Sequence, residues 1–209
     1  LRPTLDQKVI HESVRYGSTR TSRNYSQTTA SATLQSDWSR HSLNVDGTGT
    51  WQKNISGVGT ESPSANLDAR LNLDLLDDFS ALLGAGYSYS QESRTDPNAI
   101  SGASTQAGIH ELRASVGLQK SLGILRGTTG LEVTRKLYSD ATLPDGTKIV
   151  VDDRNTVGAE LTTRLGYELS PALIPFVEAS LGREKYDQRV DSTGAERSSN
   201  TYGIRVGAE

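Results

Sequence analysis

From Asn66 to Leu75 the chain alternates without a break. Leu67, Ala69, Leu71, Leu73 and Leu75 take one parity, and Asn66, Asp68, Arg70, Asn72 and Asp74 take the other. Successive side chains of a strand point to opposite faces, so this decapeptide predicts a strand with one apolar and one polar side. Wound as a helix, it would scatter leucine around the whole circumference. No compact helical fold can use such a stretch.

The same rhythm recurs. Phe79, Ala81, Leu83, Ala85, Tyr87 and Tyr89 alternate mainly with Ser and Gly. His110–Gln119, Leu125–Leu137 and Val157–Glu168 follow, with Arg135 breaking the apolar parity of the second. Weaker versions run through 30–34, 43–51, 177–181 and 202–208, and a poor one lies near Lys8–Tyr16. The connections alternate too. Tight turns are expected at Asp37–Arg40, Leu76–Asp78, Ser121–Gly123 and Leu169–Leu173. Longer polar segments fall at Asn54–Ser64, Glu92–Gln106, Ser139–Asn155 and Asp187–Ser199, with a Pro144-Asp145-Gly146 turn signal inside one of them. A propeller blade needs four short strands per unit, whereas each unit here holds two long ones.

Long alternating strands with short turns on one side and long loops on the other are the pattern of an outer-membrane β-barrel. In a bilayer every backbone group must be paired within the protein, which a closed sheet achieves. Only the half of its residues that faces lipid need be apolar. That explains a chain of 209 residues that is only 34% hydrophobic and 22% charged. A soluble sandwich alternates for the opposite reason, but its strands are usually about 5–6 residues long. The fold expected is therefore all-β, an antiparallel up-and-down transmembrane barrel of at least ten strands, read as one domain over 1–209. Short turns would face the periplasm, and the partner of the apolar face is outer-membrane lipid. No run approaches the roughly 18 apolar residues of a membrane helix. A net charge of −3 offers no basic excess for nucleic acid. The absence of Cys excludes disulfides and a thiolate metal site. Because the chain opens at Leu1 without an apolar leader, a processed or cropped product is expected.

Parity also assigns candidate functional residues. The polar side carries Asp68, Arg70, Asp74, Glu111, Arg113, Arg126, Glu132, Lys136, Glu160, Arg164, Glu178 and Arg205 as lumen-lining candidates. Acids and bases balance, unlike the one-sign rings that impose strong ion selectivity. Trp51, Tyr87, Tyr89 and Tyr138 lie near the long-loop ends of their strands, and Phe79, Tyr167 and Phe176 near the tight turns. Two such bands suit the aromatic girdles of a membrane interface. His110 shares the parity of Leu112 and Ala114 and so points at lipid, His41 lies beside a periplasmic turn and His11 on the poorest strand, so no enzyme or cofactor is expected. Asp145, Asp152 and Asp153 match no EF-hand spacing and read as solvated loop acids.

Two segments go further. Asp37-Trp38-Ser39-Arg40-His41-Ser42-Leu43-Asn44 forms the first tight turn and its exit strand. Arg164-Leu165-Gly166-Tyr167-Glu168-Leu169-Ser170-Pro171, followed by Pro175-Phe176-Val177-Glu178-Ala179, spans the last one. Both resemble the putative β-barrel porin type 2 family of proteobacterial outer membranes. The resemblance implies an outer-membrane location and an association with exopolysaccharide loci, and it supplies no catalytic motif. The family is usually longer than this chain, and Val206-Gly207-Ala208-Glu209 lacks a terminal aromatic, so part of a larger barrel is expected to lie elsewhere. The function expected is passive passage of small solutes or polysaccharide-related cargo. The alternative is a non-conducting barrel that presents its loops to glycan or an envelope partner. Strand number separates them: at about 8–10 strands side chains nearly fill the interior, while at about 16 a channel remains.

Overall fold

The computed structural model describes residues 1–57, 61–190 and 194–209. Ten strands form one antiparallel sheet: β1 (Arg2–Tyr16), β2 (Thr19–Gln35), β3 (Ser42–Ser56), β4 (Ser64–Leu76), β5 (Phe79–Gln91), β6 (Gly108–Leu122), β7 (Leu125–Tyr138), β10 (Thr156–Tyr167), β11 (Pro175–Tyr186) and β12 (Ser199–Ala208). Each pairs with its neighbour in sequence. The exception is β7, which pairs with β10 past a two-stranded loop hairpin, β8 (Ala141–Thr142) with β9 (Lys148–Ile149), and a single 3-10 turn at Asp152–Arg154. At the sheet edges β1 and β12 each have one partner among the described residues. The architecture is the up-and-down wall of a β-barrel.

Register turns parity into faces. Leu43, Leu71, Leu83, Val116, Leu131, Leu161, Leu181 and Tyr202 stand side by side across β3 to β12. Nothing covers this row: Leu131 is 41% exposed, Leu161 43% and Leu181 53%, and no large side chain among the described residues is fully buried. A soluble sandwich would bury one such face against a second sheet. Here the apolar face is left bare.

The strands are also staggered. The row that starts at Pro3, by the turn end of β1, passes Ala32, Gly47, Leu67, Tyr87, Leu112, Arg135 and Val157 to Lys185, by the loop end of β11. It climbs about nine residues over eight strand steps; at roughly 3.3 Å per residue and 4.8 Å per strand that is a tilt of about 40°. Barrel strands tilt by about 35–45°.

Two features differ from the sequence reading. The stretch near Lys8–Tyr16 is a full strand, and β2 begins at Thr19 rather than near Ala30. The first connection on the loop side is thus a two-residue turn, Gly17-Ser18, with Gly17 at φ 61°. A positive φ at the first turn position is what a two-residue hairpin uses, and Gly123 (φ 60°) does the same between β6 and β7. Gly57 (φ 84°) is tighter: an added Cβ would lie 2.3 Å from the Ser22 carbonyl oxygen and 2.8 Å from the Arg23 Cα. At Gly17 it would meet nothing within 4 Å. Gly17→Ala is therefore expected to cost only the left-handed penalty, about 1 kcal/mol. Gly57→Ala is expected to cost about 3 kcal/mol or more and to speed hydrogen exchange at 22–25 and 54–57; equal urea midpoints for the two variants would refute this.

Candidate functional site: a polar wall under a loop platform

The sheet brings all twelve polar candidates to the face opposite the leucine row. Asp68, Gly86, Arg113, Thr134, Gly158 and Glu184 form one cross-strand row. Arg70, Gly84, Ser115, Glu132, Glu160 and Gly182 form the next. Glycines interleave with charged residues, so long side chains have room to lie along the wall. A cavity of about 350 Å³ opens there, lined by Glu111, Arg113, Glu132, Lys136, Glu160 and Glu184 among others.

Most of these charges are neutralised by neighbours. Arg70 pairs with Asp68 at 3.0 Å, and Glu111 takes both Arg113 (3.7 Å) and Lys136 (3.8 Å). Near the turn end, Glu178 accepts from Arg164 at 2.8 Å and from Arg205 at 2.6 Å, and Arg164 also pairs with Glu209. Phe176 packs on the same face under both guanidiniums, 4.1 Å from that of Arg164 and 5.9 Å from that of Arg205. Arg126 holds Glu168 at 2.6 Å. Three candidates have no ion pair among the described residues: Asp74, Glu132 and Glu160, and the last two stand directly opposite each other on β7 and β10. Like charges in that position destabilise a sheet, which is tolerable where water or cations screen them. Glu184, one row away, joins them. The sequence reading missed it because Arg183 and Lys185 put charge on both parities of β11 and mask the alternation.

The aromatics divide. Trp51, Phe79, Tyr87, Tyr89 and Tyr167 are on the apolar face. Tyr87 bonds His110 through its hydroxyl at 2.9 Å, and the Tyr89 ring lies 4.8 Å from the His110 ring. Phe79 and Tyr89 are ten residues apart on one strand, which at a 40° tilt is about 25 Å, the height of a barrel's apolar band. Tyr138 differs. It pairs with Ile109, on the opposite parity to His110, and lies on the polar face under the Arg154 guanidinium (6.0 Å). It belongs to the loops, not to the girdle.

Those loops are the part that the sequence did not disclose. Ala103, Ala107, Ala141, Val151, Glu92, Gln106 and Thr156 are buried, and all lie in or beside the segments 92–107 and 139–156. The Gln106 amide grips Ile100 at both its N–H and its carbonyl (3.0 and 2.8 Å). Ser104 and Thr105 donate to the Thr142 carbonyl, joining one loop to the β8–β9 hairpin of the other. Arg154 donates to buried Glu92 at 2.9 Å and to the Asn98 carbonyl at 2.5 Å. The loop acids have partners as well. Asp145 accepts from the Thr147 N–H, which holds its carboxyl below the usual range, Asp152 accepts from Gln188, and Arg197 donates to the Asp153 carbonyl at 2.6 Å and reaches its carboxylate at 3.5 Å. Just past β11, the bidentate Arg135 hydrogen bonds hold the Asp187 carboxyl below its ordinary range.

The profile of the family described as putative beta-barrel porin 2 matches residues 1–209. The chain belongs to this family. Among solved structures, the siderophore receptor PirA from Pseudomonas aeruginosa is similar at a TM-score of 0.50 and 12% identity, over 99% of this chain and 34% of that one. The copper transporter OprC matches at a TM-score of 0.42 and 11% identity, over 98% of this chain and 37% of that one. The chain thus spans about a third of the length of these structures, and the likeness to PirA is one of fold. No curated protein matches. Family membership and the bare apolar face make this an outer-membrane-type barrel wall and point to the bacterial outer membrane.

Proposed function

We propose that the polar wall is one side of a passive route for small polar solutes, including glycan-type cargo, across the outer membrane, with no catalytic step. The observation that carries this is the placement of twelve charged residues on one face of a sheet whose other face is apolar and uncovered. A wet, polar wall lowers the desolvation cost that a solute pays in hydrocarbon. The pairing pattern adds a sign. Around the cavity four acids of the polar face, Glu111, Glu132, Glu160 and Glu184, outnumber its two bases, Arg113 and Lys136, which share Glu111, so the route favours cations. In lipid the edges of β1 and β12, each with one partner among the described residues, must be paired, and the strand number of the closed barrel sets the pore width.

The test is conductance of the full-length protein in planar bilayers. Discrete steps with a cation-over-anion preference are expected, and E132Q/E160Q is expected to reduce that preference about two- to threefold at unchanged step frequency. Absence of steps at high protein load would sink the pore. It would favour the second reading, supported by the packed loops: a closed barrel that presents a rigid platform to surface glycan or an envelope partner.

A further inference from the structure

The apolar face carries an unforeseen charge asymmetry. By register, no Asp or Glu of the ten strands lies on it, whereas Arg15, Arg20, Lys53, Lys120, Arg135, Arg183 and Lys185 do. Three of them converge. Val157 has Arg135 on one side and Lys185 on the other, and Arg183 is two residues below Lys185, beside Ala159. At sheet spacings the three side chains root within roughly 12 Å of one another. Small neighbours such as Ala159 leave their stems free to lie on the wall. Arg183 and Lys185 are exposed and form no ion pair among the described residues, and Asp187, which Arg135 holds, lies within electrostatic reach of Lys185. Arg135 is oriented by its two 2.5 Å hydrogen bonds to Asp187.

Height identifies the ligand. Lys185 lies as far along β11 from the turn end as Tyr89 lies along β5, so the cluster stands in the upper aromatic band and not in the hydrocarbon. Cations at that level meet lipid headgroups, where a basic residue near an anionic surface contributes about 1 kcal/mol. We propose that Arg135, Arg183 and Lys185 form a seat for a phosphate-bearing lipid headgroup of the outer leaflet. This rests on the reading of the apolar face as lipid-facing.

The test uses the full-length protein in phosphatidylcholine vesicles doped with spin-labelled phosphatidic acid, and, in parallel, with a bisphosphorylated glucosamine lipid. The wild type is expected to enrich both lipids around itself. R183Q/K185Q is expected to insert with equal yield, read by protease protection, yet to lose that enrichment about 10- to 30-fold, the ratio for two such surface cations. R183K should retain it. Unchanged enrichment in the double variant would overturn the seat. Displacement of the lipid by inorganic phosphate, or capture of a soluble acidic polypeptide in preference to lipid, would overturn the lipid assignment. Failure of the wild type itself to insert would instead overturn the lipid-facing reading on which the seat depends.

Discussion

Leu161→Arg is expected to block stable insertion, costing about 2–4 kcal/mol, while Thr162→Arg, one residue along the same strand, is expected to cost almost nothing. Leu161 sits in the middle of the bare leucine row, flanked by Leu131 and Leu181. An arginine there must shed its water in hydrocarbon or drag a defect into the bilayer. Thr162 faces the wall, with Gly130 and Ser180 beside it and the unpaired Glu160 and Glu132 lining the same cavity. A guanidinium there gains room and opposite charge. Urea titration of the vesicle-folded protein reads both variants. Equal tolerance would mean that the leucine row faces something other than lipid.

The second large effect is in the loops. Arg154→Ala leaves Glu92, whose side chain is 4% exposed, without its counter-charge. Breaking a buried pair by removing one partner costs about 3–5 kcal/mol; because Arg154 is itself only partly covered, about 3 kcal/mol is expected. The loss falls on the platform alone. Segments 92–107 and 139–155 should become sensitive to limited proteolysis while the urea midpoint of the wall stays put. Glu92→Gln in the Arg154→Ala background should restore much of the protection, because the uncompensated charge is gone. A platform that resists protease in Arg154→Ala would show that the apolar contacts of Ala103, Ala107, Ala141 and Val151 hold it without the ion pair.

What could be read in the sequence follows from where the physics is local. Face assignment needs only parity, so the leucine row and the twelve wall residues were legible from Leu67, Asp68 and their repeats. β1 and most of β2 were not, for a physical reason. Beyond Val9 and Ala30 the positions of apolar parity turn polar, as in Ser13, Ser26 and Thr28, so the first hairpin lacks the alternation that marks the others. Arg183 and Lys185 failed to register for a related reason: at headgroup height a cation is as welcome outside as inside. The platform was hidden because its contacts are remote in sequence. Arg154 reaches back 62 residues to Glu92, and no periodicity encodes that. The mixed charge of the wall was visible, but its net sign was not, since only the register shows which charges cancel.

Two register shifts in the strand ladders of the described residues carry one last consequence. They occur at Asn24/Tyr25, near the loop end of β2, and at Asp74/Leu76, near the turn end of β4. Between such points the wall behaves as a reading frame with a period of two. Losing one residue there would turn leucine inward and glutamate outward for the rest of the strand. At the rims a slip changes nothing that lipid touches. Length variation in this lineage should therefore collect at the strand ends and in the loops, while the membrane-spanning centre of each strand stays in frame.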